Sequence, residues 1–305
     1  MRNSDCNPIP QSAIRIPHFV MSLLDQLNSS QRLLLNVELC PPRIDLPLEE
    51  SVDAWIDSNR LIRKITSLQR FVFMTDGAIG KREEPNLRHV TLNLGPETDR
   101  ARIIPILTTK HSRDFCLSYA EQAWQHGFPA LVVLGGDRSL GRPRCVEHAW
   151  QLRREIKARE PRLVLGGWAN PHADPVQQVA YLADDQFAAE FYLTQIVSHL
   201  NVAPVARFID EARRRGLDHL PGVFGVFYYR SANAGTLDLL SRFLPVPAES
   251  LAAEFAAGAT PIEICARTLR AMMDVGARHF YISNLPLLRA SSTLSAVLAR
   301  VGALA

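Results

Sequence analysis

Two carboxylates in this sequence sit where an apolar run gives out. Glu38 follows the run 33–37, which only Asn36 interrupts, and Pro41-Pro42 then turns the chain away from further sheet pairing. An acidic side chain at the end of a buried strand, beside a rigid turn, is unfavourable unless something uses it. Taken alone, its plainer role is a solvated carboxylate at a sheet edge. Asp137 follows the run 130–134 and Gly135-Gly136, two glycines that let a backbone or ligand approach closely.

Other apolar runs also end in polar or aromatic groups. The run 71–74 meets Thr75, and 102–107 meets Thr108. The run 162–165 leads into Gly166-Gly167-Trp168, with Asn170 and His172 close behind. The run 191–193 leads to Thr194-Gln195, 221–227 to Tyr228-Tyr229-Arg230, and 279–282 to Ser283-Asn284. Each has an ordinary structural role as well. Thr75 and Thr108 cap loops, Trp168 packs, His172 is a loop histidine, and Gln195 and Asn284 satisfy buried backbone groups. The three residues after 227 either stack on a ligand or pack their loop.

Together, two separated carboxylates, amides, hydroxyls and one large aromatic suit a planar heterocycle, hydrogen-bonded at its edge and stacked on its face. Metal-assisted hydrolysis does not fit, because no strand end gathers histidines and carboxylates. A Schiff-base mechanism lacks a lysine at a strand end, Lys110 lying past one. No Gly-x-Ser-x-Gly elbow is present. The run 77–80 before Lys81 fails the P-loop pattern, because Arg82 stands where Ser or Thr is needed.

These groups share one site only if the fold brings the strand ends together. Helical apolar spacing runs through 49–68, 114–126, 143–159, 202–215, 233–243 and 287–301. Asp174-Pro175 starts another helix, and 248–273 reads as helical with a break between Gly258 and Pro261. A short helix at 22–27 precedes the first strand. Eight short, continuously apolar strands between helices imply a parallel sheet buried on both faces. Eight repeats, 305 residues and the absence of Gly-x-Gly-x-x-Gly after any strand favour a single-domain (β/α)8 TIM barrel over a doubly wound sheet. Residues 1–17 are expected to be a poorly ordered lead, and 18–305 the barrel. In such a barrel every strand's C-terminal end opens on one mouth.

Composition agrees. A net charge of +3 is too small and dispersed for a nucleic-acid partner. Cys6, Cys40, Cys116, Cys145 and Cys265 are scattered, form no CxxC and suit reduced thiols in the cytoplasm. No apolar run approaches the ~20 residues of a membrane span. The oligomeric state is left open.

From about Ser22 to Leu285 the chain resembles methylenetetrahydrofolate reductases. Val37-Glu38-Leu39-Cys40-Pro41-Pro42 is similar to that family's Phe-Glu-Phe-Phe-Pro-Pro. Thr75-Asp76-Gly77-Ala78 resembles Thr-Tyr-Gly-Ala, and Leu134-Gly135-Gly136-Asp137 resembles Leu-Arg-Gly-Asp. Trp168 to His172 resembles a Tyr-Pro-x-x-His segment, and Leu193-Thr194-Gln195 resembles Ile-Thr-Gln. Pro221-Gly222 and Phe280-Tyr281 continue the series. Order and spacing, rather than any one motif, make the likeness specific.

The resemblance implies the same barrel and reduction of 5,10-methylenetetrahydrofolate to 5-methyltetrahydrofolate. It implies that Glu38 is the acid that supports opening of the folate's five-membered ring. Asp137 is then the carboxylate at the pterin edge, and Gln195 a folate contact. The remaining strand-end positions divide between two ligands: Tyr229 and Asn284 with Gln195 to the folate, and Thr75, Thr108, Gly136, Trp168 and His172 to the cofactor.

The chain departs from the family around the FAD diphosphate. The arginine of Leu-Arg-Gly-Asp is Gly135, a family lysine aligns with Asp184, a family histidine with Ile106, and the ring-side tyrosine with Trp168. Charged hydrogen bonds contribute roughly 1.5–3 kcal/mol each, so these losses would weaken flavin binding by several. The expectation is a flavin-free reductase taking hydride directly from NADH or NADPH. The alternatives are an FAD-dependent reductase, its phosphates held by arginines such as Arg138, and a non-catalytic barrel that binds folate or another pterin.

Overall fold

The computed structural model describes residues 22–29, 33–76, 86–137, 141–242 and 245–303. The expected lead at 1–17, the glycine run 77–80 and Arg138 lie outside the described residues. In chain order the elements are α1 (Leu23–Asn28), β1 (Leu34–Leu39), α2 (Leu48–Ser67), β2 (Val72–Met74), α3 (Asn86–Asn93) and β3 (Ile103–Thr108). Then come α4 (Arg113–Gln125), β4 (Ala130–Leu134), α5 (Ala149–Arg159), β5 (Val164–Ala169), α6 (Pro175–Ala183) and β6 (Phe191–Val197). The last are α7 (Val202–Arg214), β7 (Gly222–Phe227), α8 (Ala234–Ser241), α9 (Ala248–Ala256), α10 (Pro261–Asp274), β8 (His279–Ser283) and α11 (Ala290–Ala303). All eight strands pair in parallel and close in the order β1 to β8, with β8 returning to β1. The chain is therefore a (β/α)8 TIM barrel.

Strand alternation sorts the side chains into two cores. Leu35, Val37, Leu39, Val72, Met74, Leu131, Val133, Phe280 and Ile282 face outward and pack on the helices. Leu34, Phe71, Phe73, Ile104, Ile106, Val132, Phe191, Leu193 and Tyr281 fill the barrel. Leu23 and Leu27 of α1 join that inner set and close the N-terminal end. The His279 ring hydrogen-bonds the Leu27 backbone, tying this plug to β8.

Tyr281 spans the barrel interior and donates its hydroxyl to the Thr194 carbonyl at 2.7 Å. A methyl group on Gly225 would lie 2.4 Å from that hydroxyl oxygen, so glycine at this inward position makes room for the ring. Burial and the Glu38 charge above it push the Tyr281 phenol well up, keeping it a neutral donor.

Several elements differ from the sequence reading. β1 runs on to Leu39, so Glu38 lies within the strand; β5 and β6 likewise extend to include Trp168 and Gln195. The helix expected from 143 begins at Ala149, because Cys145 is drawn to β3, its N–H donating to the Thr109 carbonyl at 2.7 Å. α3 was not anticipated. Its first residue, Asn86, is buried, and its amide donates to the carbonyls of Met74, Thr75 and Ile106 at 3.3, 2.9 and 3.1 Å. Its Oδ1 accepts from the Tyr119 hydroxyl at 2.6 Å. One side chain thus joins the ends of β2 and β3 to α3 and α4.

Candidate functional site

The C-terminal strand ends carry the chemistry. On β1, Leu35, Val37 and Leu39 face the helices, so the alternating Glu38 faces the barrel axis near its mouth. Ser283, at the end of β8, donates its hydroxyl to Glu38 Oε1 at 2.5 Å. Asp137 follows β4, half-buried, just past Gly136, whose φ of +69° suits glycine. Glu38 and Asp137 therefore lie at the same end of the barrel.

Trp168 is on the inward-facing phase of β5, between Gly167 and Ala169. It is 38% exposed, which places its indole at the open mouth rather than in the packed interior. Gln195 sits where the β6–β7 register shifts between Leu193 and Ile196. Its Oε1 accepts the Ile196 N–H at 2.9 Å, and its carbonyl accepts the Thr194 hydroxyl at 2.9 Å. The bulge turns this segment so that both Leu193 and Ile196 face inward.

Other expected residues are engaged by the protein itself. Thr75 donates its N–H to the Leu39 carbonyl at 3.0 Å. Thr108 donates both N–H and hydroxyl to Asp76 Oδ2, at 2.8 and 3.0 Å. The His172 ring bonds the Ile196 carbonyl at 2.8 Å through Nε2, and its N–H is held by Asn170 at 3.1 Å. Asn284, with φ +65°, donates to the Tyr228 carbonyl at 3.0 Å, joining the loops after β7 and β8. Tyr229 is buried with Leu237, Leu251 and Ile264 in a separate cluster under α8, α9 and α10. It shares a cavity of about 280 Å³ with Phe227, Arg230, Thr236 and Asn284.

Sequence reasoning passed over Asp76, His111, Arg144 and Ser283 as site residues. Asp76 follows β2 much as Asp137 follows β4, and that repeated placement was its available signal. Arg144 had none, because contact through space brings it in. A Cβ on Gly135 would lie 2.7 Å from the Arg144 guanidinium carbon, and Arg144 donates to the Gly136 carbonyl. Arg144, from the loop before α5, thus sets a guanidinium against the Gly135–Gly136 turn. Lys110 also lies over Gly136, its Cγ 2.9 Å from where a Cβ would stand. Asp184 caps a short 3-10 turn and accepts the Gln186 N–H at 2.8 Å.

Among the described residues, no group of three or more His, Cys, Asp or Glu side chains is placed to hold a metal ion. No helix among them is long and apolar enough to cross a membrane.

Fold and strand-end side chains together define a (β/α)8 barrel with a polar mouth. No family model and no curated protein sequence matches the chain. Solved structures do. An uncharacterized Clostridium thermocellum protein that binds two copies of 5-methyl-5,6,7,8-tetrahydrofolic acid is similar at a TM-score of 0.66 and 14% identity, over 92% of this chain and 99% of that one. UMP synthase of Leishmania donovani is similar at a TM-score of 0.50 and 14% identity, over 92% of this chain and 57% of that one. At such identities the likeness is one of fold.

Proposed function

We propose that the chain is a 5,10-methylenetetrahydrofolate reductase that takes hydride directly from NADH or NADPH and forms 5-methyltetrahydrofolate. The observation that carries the reading is Glu38, an acid on the inner face of β1 at the barrel mouth, held by Ser283. The motif order described above and the fold shared with a methyltetrahydrofolate-binding protein support it.

In this reading Glu38 delivers the proton that opens the five-membered folate ring, leaving an electrophilic methylene carbon. Asp137 faces the amino-pyrimidine edge and favours the developing positive charge. Trp168 offers a planar face for one heterocycle, and Gln195 contacts the folate. The dinucleotide supplies the hydride, and the barrel's part is to hold donor and acceptor in register. One proton and one hydride are consumed for each methyl group formed.

A flavin-dependent reductase is the second reading. Arg144 favours it, since its guanidinium returns positive charge to the Gly135–Gly136 turn. The absorbance spectrum of the purified protein separates the two. The direct route requires a colourless protein that oxidises NADH or NADPH only when methylenetetrahydrofolate is present. A yellow protein that releases FAD on denaturation overturns it. Glu38→Gln must abolish turnover while 5-methyltetrahydrofolate still binds by calorimetry. Folate binding without any turnover in the native protein would make it a folate-binding barrel.

A further inference from the structure

Asp76 and His111 form a carboxylate–imidazole pair at the same mouth, and the reductase reading leaves it unused. Asp76 follows β2, and His111 lies in the loop between β3 and α4. His111 Nε2 is 2.9 Å from Asp76 Oδ1 and 2.8 Å from Oδ2. Oδ2 also accepts the N–H and hydroxyl of Thr108. A carboxylate already receiving two hydrogen bonds is held as an acceptor, so the proton of the neutral imidazole resides on Nε2. Nδ1 is then an acceptor.

Among the described residues, the ring is held along one edge by Asp76 and on one face by an aromatic side chain. Phe115 of α4 packs on it at 4.5 Å between centroids, with 31° between the planes. The His111 side chain keeps 30% of its surface exposed, against 16% for Asp76. Among the described residues the hydrogen bonds of the ring run through Nε2, and Nδ1 has no partner. Among the described residues, the titratable groups beside the pair include Lys110, next to His111 in the chain, and Cys116 and Tyr119 of α4 behind Asp76. Burial first, then the neighbouring Cys145 and Asp76, pushes the Cys116 thiol up; burial and then Asp76 do the same to the Tyr119 phenol. Both stay neutral, and among the described residues the hydrogen bonds to Asp76 come from Thr108 and His111.

We propose that His111 is a ligand-contacting acid–base residue of this mouth and that Asp76 positions it. Nδ1 accepts a hydrogen bond from an N–H or O–H of the bound molecule and can carry a proton to or from it. This rests on the reading that the mouth is the ligand site, and it adds a second proton carrier two strands from Glu38. A carboxylate backing one ring nitrogen fixes tautomer and orientation for work at the other.

The test is ¹⁵N NMR of the histidine ring nitrogens in the full-length protein, with 5-methyltetrahydrofolate and NADH as probes. The native protein should show His111 with Nε2 protonated, its Nδ1 signal should move when a probe binds, and Asp76→Asn should remove the tautomer bias. His111→Gln keeps a hydrogen-bonding amide but cannot titrate, so turnover should fall roughly a hundredfold with KM little changed. If the probes bind and turnover proceeds while Nδ1 stays put, His111 is only a loop staple; the proposal falls and the reductase reading stands. If Nδ1 moves with 5-methyltetrahydrofolate in a protein that oxidises neither NADH nor NADPH, the proposal stands and the reductase reading falls.

Discussion

Ser283 and Glu38 meet across the seam where the last strand of the barrel closes on the first. They stand one step beyond the paired residues Val37 and Ile282, and the serine hydroxyl donates to the carboxylate at 2.5 Å. A hydroxyl donor favours the ionised carboxylate. Ser283→Ala removes that preference, so Glu38 stays protonated to higher pH. A general acid works only while protonated. The alkaline limb of the turnover–pH curve should therefore move up by about one to two units, since a hydrogen bond to a charged group contributes roughly 1.5–3 kcal/mol. An unmoved limb would mean that Glu38 is not the acid.

Gly225 and Tyr281 share a space that a methyl group cannot enter. A Cβ at 225 would come within 2.4 Å of the tyrosine oxygen, 2.6 Å of its Cζ and 3.1 Å of Ile196 Cδ1. Gly225→Ala should lower unfolding stability in urea by about 1–3 kcal/mol through overpacking. Tyr281→Phe removes the hydroxyl donated to the Thr194 carbonyl and should cost about 1 kcal/mol. The double variant should lose less than the sum, because the phenylalanine gives up the clashing oxygen.

Asn86→Ala should be among the most damaging single changes outside the hydrophobic cores. It removes three donations to strand-end carbonyls and the acceptor for the Tyr119 hydroxyl. A loss of about 3 kcal/mol is expected, because buried groups are left unsatisfied. Hydrogen exchange should quicken first at the ends of β2 and β3, where Thr75, Asp76 and Thr108 lie. Uniform exchange along the barrel would show that Asn86 is not the local tie.

His279 should make the barrel acid-sensitive. Burial, then the nearby Arg278, lowers its pKa below 6.5, against the hydrogen bond to the Leu27 backbone. The unfolded chain therefore binds the proton more readily than the folded one, and stability rises with pH across that interval. His279 contributes nothing unfavourable above 6.5, and stability is lost as pH falls from there towards its lowered folded value. His279→Leu should flatten the Tm–pH curve in that window. Glu211 acts lower down: hydrogen bonds from Arg214, opposed by desolvation and helped by Arg215, hold its pKa at about 2. Its share is full above the ordinary 4.5 and disappears as pH falls through 2.

Much of the architecture was legible in the chain. Both faces of each strand are buried, so the strands read as continuous apolar runs, and helices with one apolar face separated them. The order of strand-end residues followed, because parallel strands in a barrel end on one side. Length was harder to read. β5 and β6 carry Gly166, Gly167, Thr194 and Gln195, which interrupt the apolar signal although the strands continue through them. α3 escaped notice because only Leu87 and Val90 mark its buried side, while its anchor is a polar residue.

The sequence by itself determined that Glu38 and Asp137 share a barrel mouth, because eight strand–helix repeats permit few other arrangements. Only the tertiary structure decided what stands beside each of them. Thr108, expected to face a ligand, spends its hydroxyl on Asp76; Tyr229 is sunk in a side cluster; Arg144 stands where Gly135 leaves room; and His111 meets a carboxylate 35 residues away in sequence. Periodicity records which face of an element is buried, but it carries no information about distances between loops. Those are fixed only when the closed sheet brings the strand ends within hydrogen-bonding reach.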